Sequence, residues 1–355
     1  MFEYLENKRV LVTGGCGTVG HELAQRFCNI NGLEHYVVSR NEAAQFKLMQ
    51  KYPNVKCVWG DVANALDMQR VFQQIKPHVV IHAAAVKVVP VAEREMLKTF
   101  ETNALGTYNI VKACLTFNVE SALMIGTDKQ CSPINVYGMS KHLGASMFSD
   151  ANRLGSTKFV SVRYGNVLCS RSSLGVIVME QAKQGQALTV TDPDMTRFFF
   201  TIQEGVRLID VALGRCYEDY ALKSFVNGYY GATLSTQMCS VTLGDFFDVI
   251  AERFNVAVKV IGRRPGEKTH EHLMADYELK DTYIDSNYTY SPFYAPEQQL
   301  NAYVTIPHLS ELKNNGISES IQRPTKIFSS EDAPKLTKAQ IWEIMEYAYN
   351  NTWKD

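Results

Sequence analysis

Tyr137 and Lys141 stand four residues apart, and Thr127, Asp128 and Lys129 follow one another a short way upstream. If 137–141 is helical, the phenol and the amine share one face of the helix. An ammonium and the positive ring of a nicotinamide would draw a phenol below its usual pKa of about 10. The phenolate can then take a hydroxyl proton while the same carbon loses hydride to the nicotinamide. Tyr137 and Lys141 alone mean redox chemistry. Asp128 and Lys129 add a carboxyl and an amine, an acid and a base for a second reaction. Once C4 of a sugar is a ketone, its C5 proton is acidic. A Lys129 held neutral by burial and by Lys141 nearby would remove that proton, and a protonated Asp128 would protonate the departing C6 hydroxyl. These residues predict an enzyme that oxidises a sugar briefly, eliminates water and hands the hydride back. The plainer reading of Asp128 and Lys129 is a surface ion pair capping the next element.

Short apolar runs alternate with helix-compatible segments through the first half. Strands are expected at Arg9–Thr13, Tyr36–Ser39, Val55–Trp59, His78–Ala85, Ala122–Ile125 and Phe159–Val162, and helices at Thr18–Ile30, Leu66–Ile75 and Leu97–Phe117. Continuously apolar strands alternating with helices mean βαβ units and a parallel sheet covered on both faces. With right-handed crossovers this predicts an α/β fold with a doubly wound parallel (Rossmann) sheet and a smaller mixed α/β substrate-binding lobe. Residues 1–165 and 199–232 are assigned to the NADP-binding domain. Residues 166–198 and 233–330 are assigned to the lobe, and 331–355 to a C-terminal helix. A helix at Gln203–Leu213 and a strand at Ser224–Asn227 are expected to return to the sheet, and a strand-like run covers Val256–Ile261. The stretch 276–335 is rich in Tyr, Asn, Ser and Pro and has no clear period.

Gly14, Gly17 and Gly20 punctuate Thr13–Gly20, between the first strand and the first helix. The spacing suits a tight turn, a close backbone approach to pyrophosphate and close helix–strand packing, with Thr18 and Val19 at the helix start. At the end of the second strand an NAD enzyme usually carries Asp or Glu. Here stand Ser39 and Arg40, with Lys47 further on, a set that suits a 2′-phosphate and favours NADP; Glu42 nearby leaves NAD open. Asp61 and Val62 would border the adenine. Ala83, Ala84 and Ala85 are small enough for a cofactor to lie against the strand end, or for helix–sheet packing.

The 355 residues carry a formal net charge of -1, so no field favours nucleic acid or an anionic membrane. No run of 18 apolar residues exists, so no spanning helix is expected, and the first residues lack the apolar core of a secretory signal. Eight scattered cysteines without a Cys-x-x-Cys pair read as reduced thiols of a cytoplasmic protein. His270 and His272 are the only close histidine pair, and no metal site is expected.

Taken with Gly60-Asp-Val62, His82–Pro90, Thr102–Thr107, Gly126–Lys129, Pro133–Lys141, Arg163–Val167, Thr189–Phe198 and Arg264–Glu271, the chain resembles an extended short-chain dehydrogenase/reductase. Within that superfamily it resembles the inverting UDP-N-acetylglucosamine 4,6-dehydratases of polysaccharide and nonulosonate pathways. The block Thr189–Phe198 is the most specific, since it separates this group from ordinary sugar epimerases. The resemblance implies Asp128 as general acid, Lys129 as base at C5, Tyr137 as redox tyrosine supported by Lys141, and Thr127 at the hydroxyl being oxidised. It places Asn103 and Lys87 at the cofactor. Tyr164, Asn166, Arg171, Thr189, Arg197, Arg264 and Glu267, again with Lys87, fall on the nucleotide-sugar side, where Arg can clamp a diphosphate and a carboxylate can accept from ribose hydroxyls. It also implies tightly bound, recycled NADP, a UDP-sugar substrate and a homo-oligomer. Val88, Gln130 and Ser172 depart from the pattern, where His, Ala and Gly are usual. A UDP-sugar epimerase, which needs no acid–base pair at 128–129, and a non-catalytic NADP-binding scaffold are the competing readings.

Overall fold

Val10, Leu11 and Val12 are fully buried because the strand that carries them lies in the middle of a sheet covered on both faces. The computed structural model describes residues 1–217, 231–285, 302–305 and 322–352. Its first half runs β1 (Arg9–Thr13), α1 (Thr18–Phe27), β2 (Glu34–Ser39), α2 (Glu42–Lys51), β3 (Val55–Trp59), α3 (Ala65–Ile75) and β4 (Val79–His82). There follow α4 (Val89–Arg94), α5 (Met96–Phe100), a π-helical turn (Glu101–Leu105), α6 (Gly106–Thr116), β5 (Ser121–Ile125), a 3₁₀ turn (Asp128–Gln130), α7 (Val136–Ala151) and β6 (Lys158–Val162). Then come β7 (Asn166–Val167), α8 (Leu174–Lys183), β8 (Leu188–Val190), β9 (Thr196–Phe200), α9 (Ile202–Gly214), β10 (Thr233–Thr236), β11 (Ser240–Thr242), α10 (Leu243–Phe254), β12 (Val258–Val260), β13 (Thr282–Asp285), β14 (Ala302–Thr305) and α11 (Lys338–Asn351).

The main sheet has the order β13-β14-β10-β6-β5-β4-β1-β2-β3. From β3 to β10 every described pairing is parallel, and β14 and β13 close the far edge antiparallel. The order reverses between β1 and β4, the place where a doubly wound sheet opens a ligand crevice at its carboxyl ends. One face is packed by α1, α2 and α9 through Leu23, Phe27, Leu48, Ile209 and Leu213. The other is packed by α3, α6 and α7 through Val71, Phe72, Ile110 and Phe148. A separate core joins α8, α10 and α11 to β8, β9 and β11. Phe148 is fully buried, so truncating it to Ala would cost about 3–5 kcal/mol.

The α/β doubly wound expectation stands. Three details differ. The single helix expected over Leu97–Phe117 is broken by the π turn at Glu101–Leu105, which turns Asn103 inward to bond Val86. Such turns cluster at functional sites. The boundary at residue 233 does not match the sheet: β10, β13 and β14 come from the segment assigned to the lobe, yet extend the main sheet. The stretch 276–335, read as aperiodic, supplies β13 and β14, whose pairing is long-range and leaves no local signal. The strand expected at Ser224–Asn227 lies outside the described residues.

Candidate active site

β5 delivers Thr127, Asp128 and Lys129 to the carboxyl edge of the sheet, and the backbone there turns at once into a 3₁₀ turn. Thr127 caps that turn, and the Gln130 side chain returns a bond to the Thr127 N–H at 3.0 Å. Gln130, a departure from the expected Ala, thus completes a capping box. α7 begins directly above. A Cβ at Gly138 would lie 2.2 Å from the Lys129 carbonyl oxygen, so only glycine lets the two segments approach this closely. Asn135 caps α7 through Gly138 and also donates to the Gly266 carbonyl at 2.9 Å, tying the helix to the 264–271 loop.

Asp128 is fully buried. Its Oδ1 accepts from the Thr127 hydroxyl at 2.9 Å and from Lys129 Nζ at 3.0 Å, while Oδ2 is buried with no partner. Lys129 Nζ also donates to Asn166 Oδ1 at 3.0 Å and lies 3.5 Å from Glu271 Oε1. Asp128 is therefore buried and Lys129 half-buried beside it, so the pair is not a surface cap. The expected neutral Lys129 is not what the cluster favours. Burial works against the ammonium, but Asp128 and Glu271 outweigh burial and the nearby Arg197, and its pKa is raised.

Tyr137 and Lys141 are both buried on α7. Burial raises the Tyr137 pKa, partly countered by Lys129 and by the Thr127 side chain. Lys129 is thus a cation that eases ionisation of Tyr137. Burial pushes Lys141 down to about 8. Behind them His82, pushed down to about 3 mainly by burial, sits between Thr13 Oγ1 at 2.7 Å and Thr107 Oγ1 at 3.0 Å.

On the nucleotide side, Gly14 adopts φ +65°. A Cβ at Gly20 would fall 1.9 Å from the Gly15 carbonyl oxygen, whereas one at Gly17 would meet only the Gly14 oxygen, at 3.3 Å. Gly17 caps α1 without any side-chain bond, so the first N–H groups, those of Thr18, Val19 and Gly20, face an open cradle. That geometry fits a dinucleotide diphosphate. The Thr18 hydroxyl accepts from the Arg171 backbone N–H at 3.0 Å, stitching this turn to the 170s loop. Ser39 ends β2, and Arg40 is exposed and paired with Asp61 at 2.9 Å. Asp61 also accepts from the Ala63 N–H, and Val62 is buried beside Gly106. Lys47 is exposed on α2. Ala83 bonds the β1 end through its backbone, as does Ala84, while Ala85 is half-buried just beyond. Asn103 spends its amide on Val86 and Ser140, so it shapes the wall at 85–87 rather than presenting a free group. Lys87 reaches solvent, yet its partly desolvated position and Arg171 push it down to about 8.

Of the residues placed on the sugar side, Asn166 joins the Lys129 cluster directly. Arg197 is buried and donates to the carbonyls of Thr196, Lys268 and Thr269, so it fastens the 264–271 loop. Glu267 keeps a buried Oε2 without a partner, suited to a hydroxyl donor. Tyr164 stacks on Phe200, and its carbonyl receives the Asp128 N–H at 3.0 Å. Arg264 is exposed at the loop's start, and Thr189 sits in β8 opposite Lys259 with no described bond to the cluster. The residue missed by motif reading is Glu271. Its signal was present at the end of Arg264–Glu271, but nothing local says that its carboxylate turns toward Lys129.

A model of the polysaccharide biosynthesis protein family matches residues 10–291. The chain belongs to the polysaccharide biosynthesis protein family. This family member is 30% identical over 292 residues to a UDP-N-acetylglucosamine 4,6-dehydratase (inverting) of Campylobacter jejuni, covering 79% of this chain and 81% of that one. It is 32% identical over 282 residues to a UDP-glucose 4-epimerase of Rickettsia massiliae, covering 77% and 79%. It is also 32% identical over 358 residues to an uncharacterized membrane protein of Methanocaldococcus jannaschii, covering 97% and 96%. Among the described residues no helix is long and apolar enough to cross a membrane. The X-ray structure of Pen from Bacillus thuringiensis superposes on the family member with a TM-score of 0.81 at 25% identity, covering 97% and 98% of the two chains. Among the described residues no cluster of His, Cys, Asp and Glu could hold a metal ion.

Proposed function

We propose that this protein is an NADP-dependent hydro-lyase that converts UDP-N-acetylglucosamine to a UDP-4-keto-6-deoxy-N-acetylhexosamine, with inversion at C5. One observation carries the reading: Lys129 Nζ lies 3.0 Å from Oδ1 of the fully buried Asp128, which also accepts from the Thr127 hydroxyl at 2.9 Å. An epimerase has no use for that pair. A bound nicotinamide would accept the C4 hydride and return it to C6.

The chain's own residues then have these tasks. Tyr137 takes the C4 hydroxyl proton. A proton passing from Lys129 Nζ to Asp128 Oδ1 along their hydrogen bond turns the ion pair into a neutral amine and a carboxylic acid with no change in net charge. The amine removes the C5 proton, the C5–H electrons form the C5–C6 double bond, and Asp128 protonates the oxygen as the C6–O bond breaks. C5 regains a proton on its opposite face from water, the hydroxide so formed takes the proton from the Lys129 ammonium, and the proton left on Tyr137 passes to Asp128; moving it on to Lys129 restores the starting ion pair. Arg197, Arg171, Arg264 and Glu267 are assigned to the UDP moiety, with Tyr164 and Thr189 lining its lobe. NADP is favoured over NAD because β2 ends in Ser39, followed by Arg40, rather than in a carboxylate, and tighter binding of NAD than NADP would reverse that choice. A homo-oligomer is supported by exposed apolar side chains on neighbouring helices, Leu97 and Phe100 of α5, Tyr108 of α6 and Met139 and Leu143 of α7.

The test is proton NMR of the product formed from UDP-N-acetylglucosamine in D₂O. A C6 methyl group with deuterium at C5 supports the dehydratase. A 4-epimer that keeps its hydroxymethyl group and gains no deuterium would make the protein an epimerase, and unchanged sugar a cofactor-binding scaffold.

A further inference from the structure

Glu271 is 2% exposed. Its Oε1 lies 3.5 Å from Lys129 Nζ, and its Oε2, 3.7 Å from Lys268 Nζ, is buried without a hydrogen bond. A carboxylate so placed is costly unless it answers a charge. It is also held from behind with unusual completeness. The Glu271 N–H donates to Ser330 Oγ at 2.8 Å, and its carbonyl accepts the Ser330 N–H at 2.8 Å. Ser330 Oγ shares a hydrogen bond with Thr196 Oγ1 at 2.7 Å, and the Ser330 carbonyl accepts from Ser240 Oγ and Lys335 Nζ. His272 bridges Ser329, and the Leu273 N–H donates to Phe328. Residues 328–335, part of the segment without a sequence period, thus form a strut behind 271–273.

We propose that Glu271, fixed by this strut, is a positioning residue for Lys129: it holds the amine between the β5 turn and β7 and is the lasting counter-charge for the ammonium formed when Lys129 takes a proton from the sugar. The proposal rests on the dehydratase reading. Asp128 cannot fill that place alone, because in that reading it must itself carry a proton at the moment the C5–H bond breaks. The other groups facing Lys129 are Asp128 on its own turn, Tyr137 on α7, neutral Asn166 on β7 and Arg197 on β9. Around Glu271 itself stand Lys129, Lys268 and His272. Only Asp128 and Glu271 among them bring negative charge close to the amine.

The test compares the parent with Glu271→Gln, Glu271→Asp and Ser330→Ala, all loaded with NADP. Lys129 Nζ is followed by NMR of ¹⁵N-lysine-labelled protein, assigned with a Lys129→Arg variant. Glu271→Gln should lower the Lys129 titration midpoint by roughly one to three pH units, the effect of losing an opposite charge at this range. The low-pH limb of kcat for C5 deuterium uptake should move the same way, while KM moves little. Glu271→Asp should restore part of the shift, and Ser330→Ala, which loosens the strut, should reproduce part of it. An unmoved Lys129 midpoint in a Glu271→Gln protein that binds cofactor overturns the proposal. If that variant does not fold, an unmoved midpoint in both of the other two does so. Failure of the parent to exchange C5 would sink the dehydratase reading instead, and the titration comparison would still decide the coupling of Glu271 to Lys129.

Discussion

Asn166 Oδ1 accepts a hydrogen bond from Lys129 Nζ at 3.0 Å, across 37 positions of sequence. A side chain that its motif assigns to the nucleotide is therefore one of three acceptors around the proposed base. Asn166→Ala should lower kcat for water loss by about 10- to 100-fold, the worth of a hydrogen bond to a charged group, with a smaller change in KM. Steady-state kinetics on UDP-N-acetylglucosamine would check this. A rise in KM at constant kcat would return Asn166 to a purely nucleotide-binding role.

Gly17 and Gly20 should separate cofactor binding from folding. A methyl at Gly20 collides with the Gly15 carbonyl, whereas at Gly17 it points into the cradle. Gly20→Ala is expected to unfold the domain or lower its melting temperature sharply. Gly17→Ala should keep the parent's melting temperature in the absence of cofactor and bind NADPH weakly. Thermal unfolding and fluorescence titration read the two effects.

Lys141 is buried and pushed down to about 8. An unfolded lysine titrates near 10.4. Between those values the unfolded chain binds more protons, so this group makes stability rise with pH from about 8 to about 10.4 and costs stability below that window. Lys141→Met should remove that slope and stabilise the fold at pH 7 by on the order of 2–3 kcal/mol, while abolishing redox turnover. Urea unfolding at pH 7 and pH 10 measures it, and equal slopes in parent and variant would refute it.

Arg163, at the end of β6, meets Glu278 through two hydrogen bonds of 2.7 and 2.8 Å, with both side chains largely buried. Burial alone would raise the Glu278 carboxyl, but Arg163 and the Ala275 N–H hold it below its ordinary value. A lowered carboxylate contributes stability that is present above its unfolded pKa of about 4.3 and lost as pH falls through the folded value. Glu278→Ala strands a buried guanidinium and should cost about 3–5 kcal/mol. Chemical denaturation at pH 7 and below pH 4 should show the difference between parent and variant shrinking in acid.

The glycine turn, the strand–helix alternation and the Tyr137/Lys141 spacing are local features, so they were legible in the sequence. Periodicity and turn chemistry act over a few residues, and a parallel sheet reads as continuous apolar runs. The break at Glu101–Leu105 was not legible, because the residues there suit an uninterrupted helix and the π turn is set by where Asn103 must reach Val86. Nor were β13 and β14, which take their stability from pairing with β10 and with each other across long chain separations.

The same division runs through the site. Adjacency in sequence was enough to place Asp128 beside Lys129 and to put Tyr137 and Lys141 on one helix face, since both follow from covalent geometry. Which charges surround the amine was decided by tertiary structure alone. Glu271 arrives from a loop more than a hundred residues away and is pinned by Ser330. Electrostatic interaction depends on distance through space and on burial, and neither can be read from order along the chain.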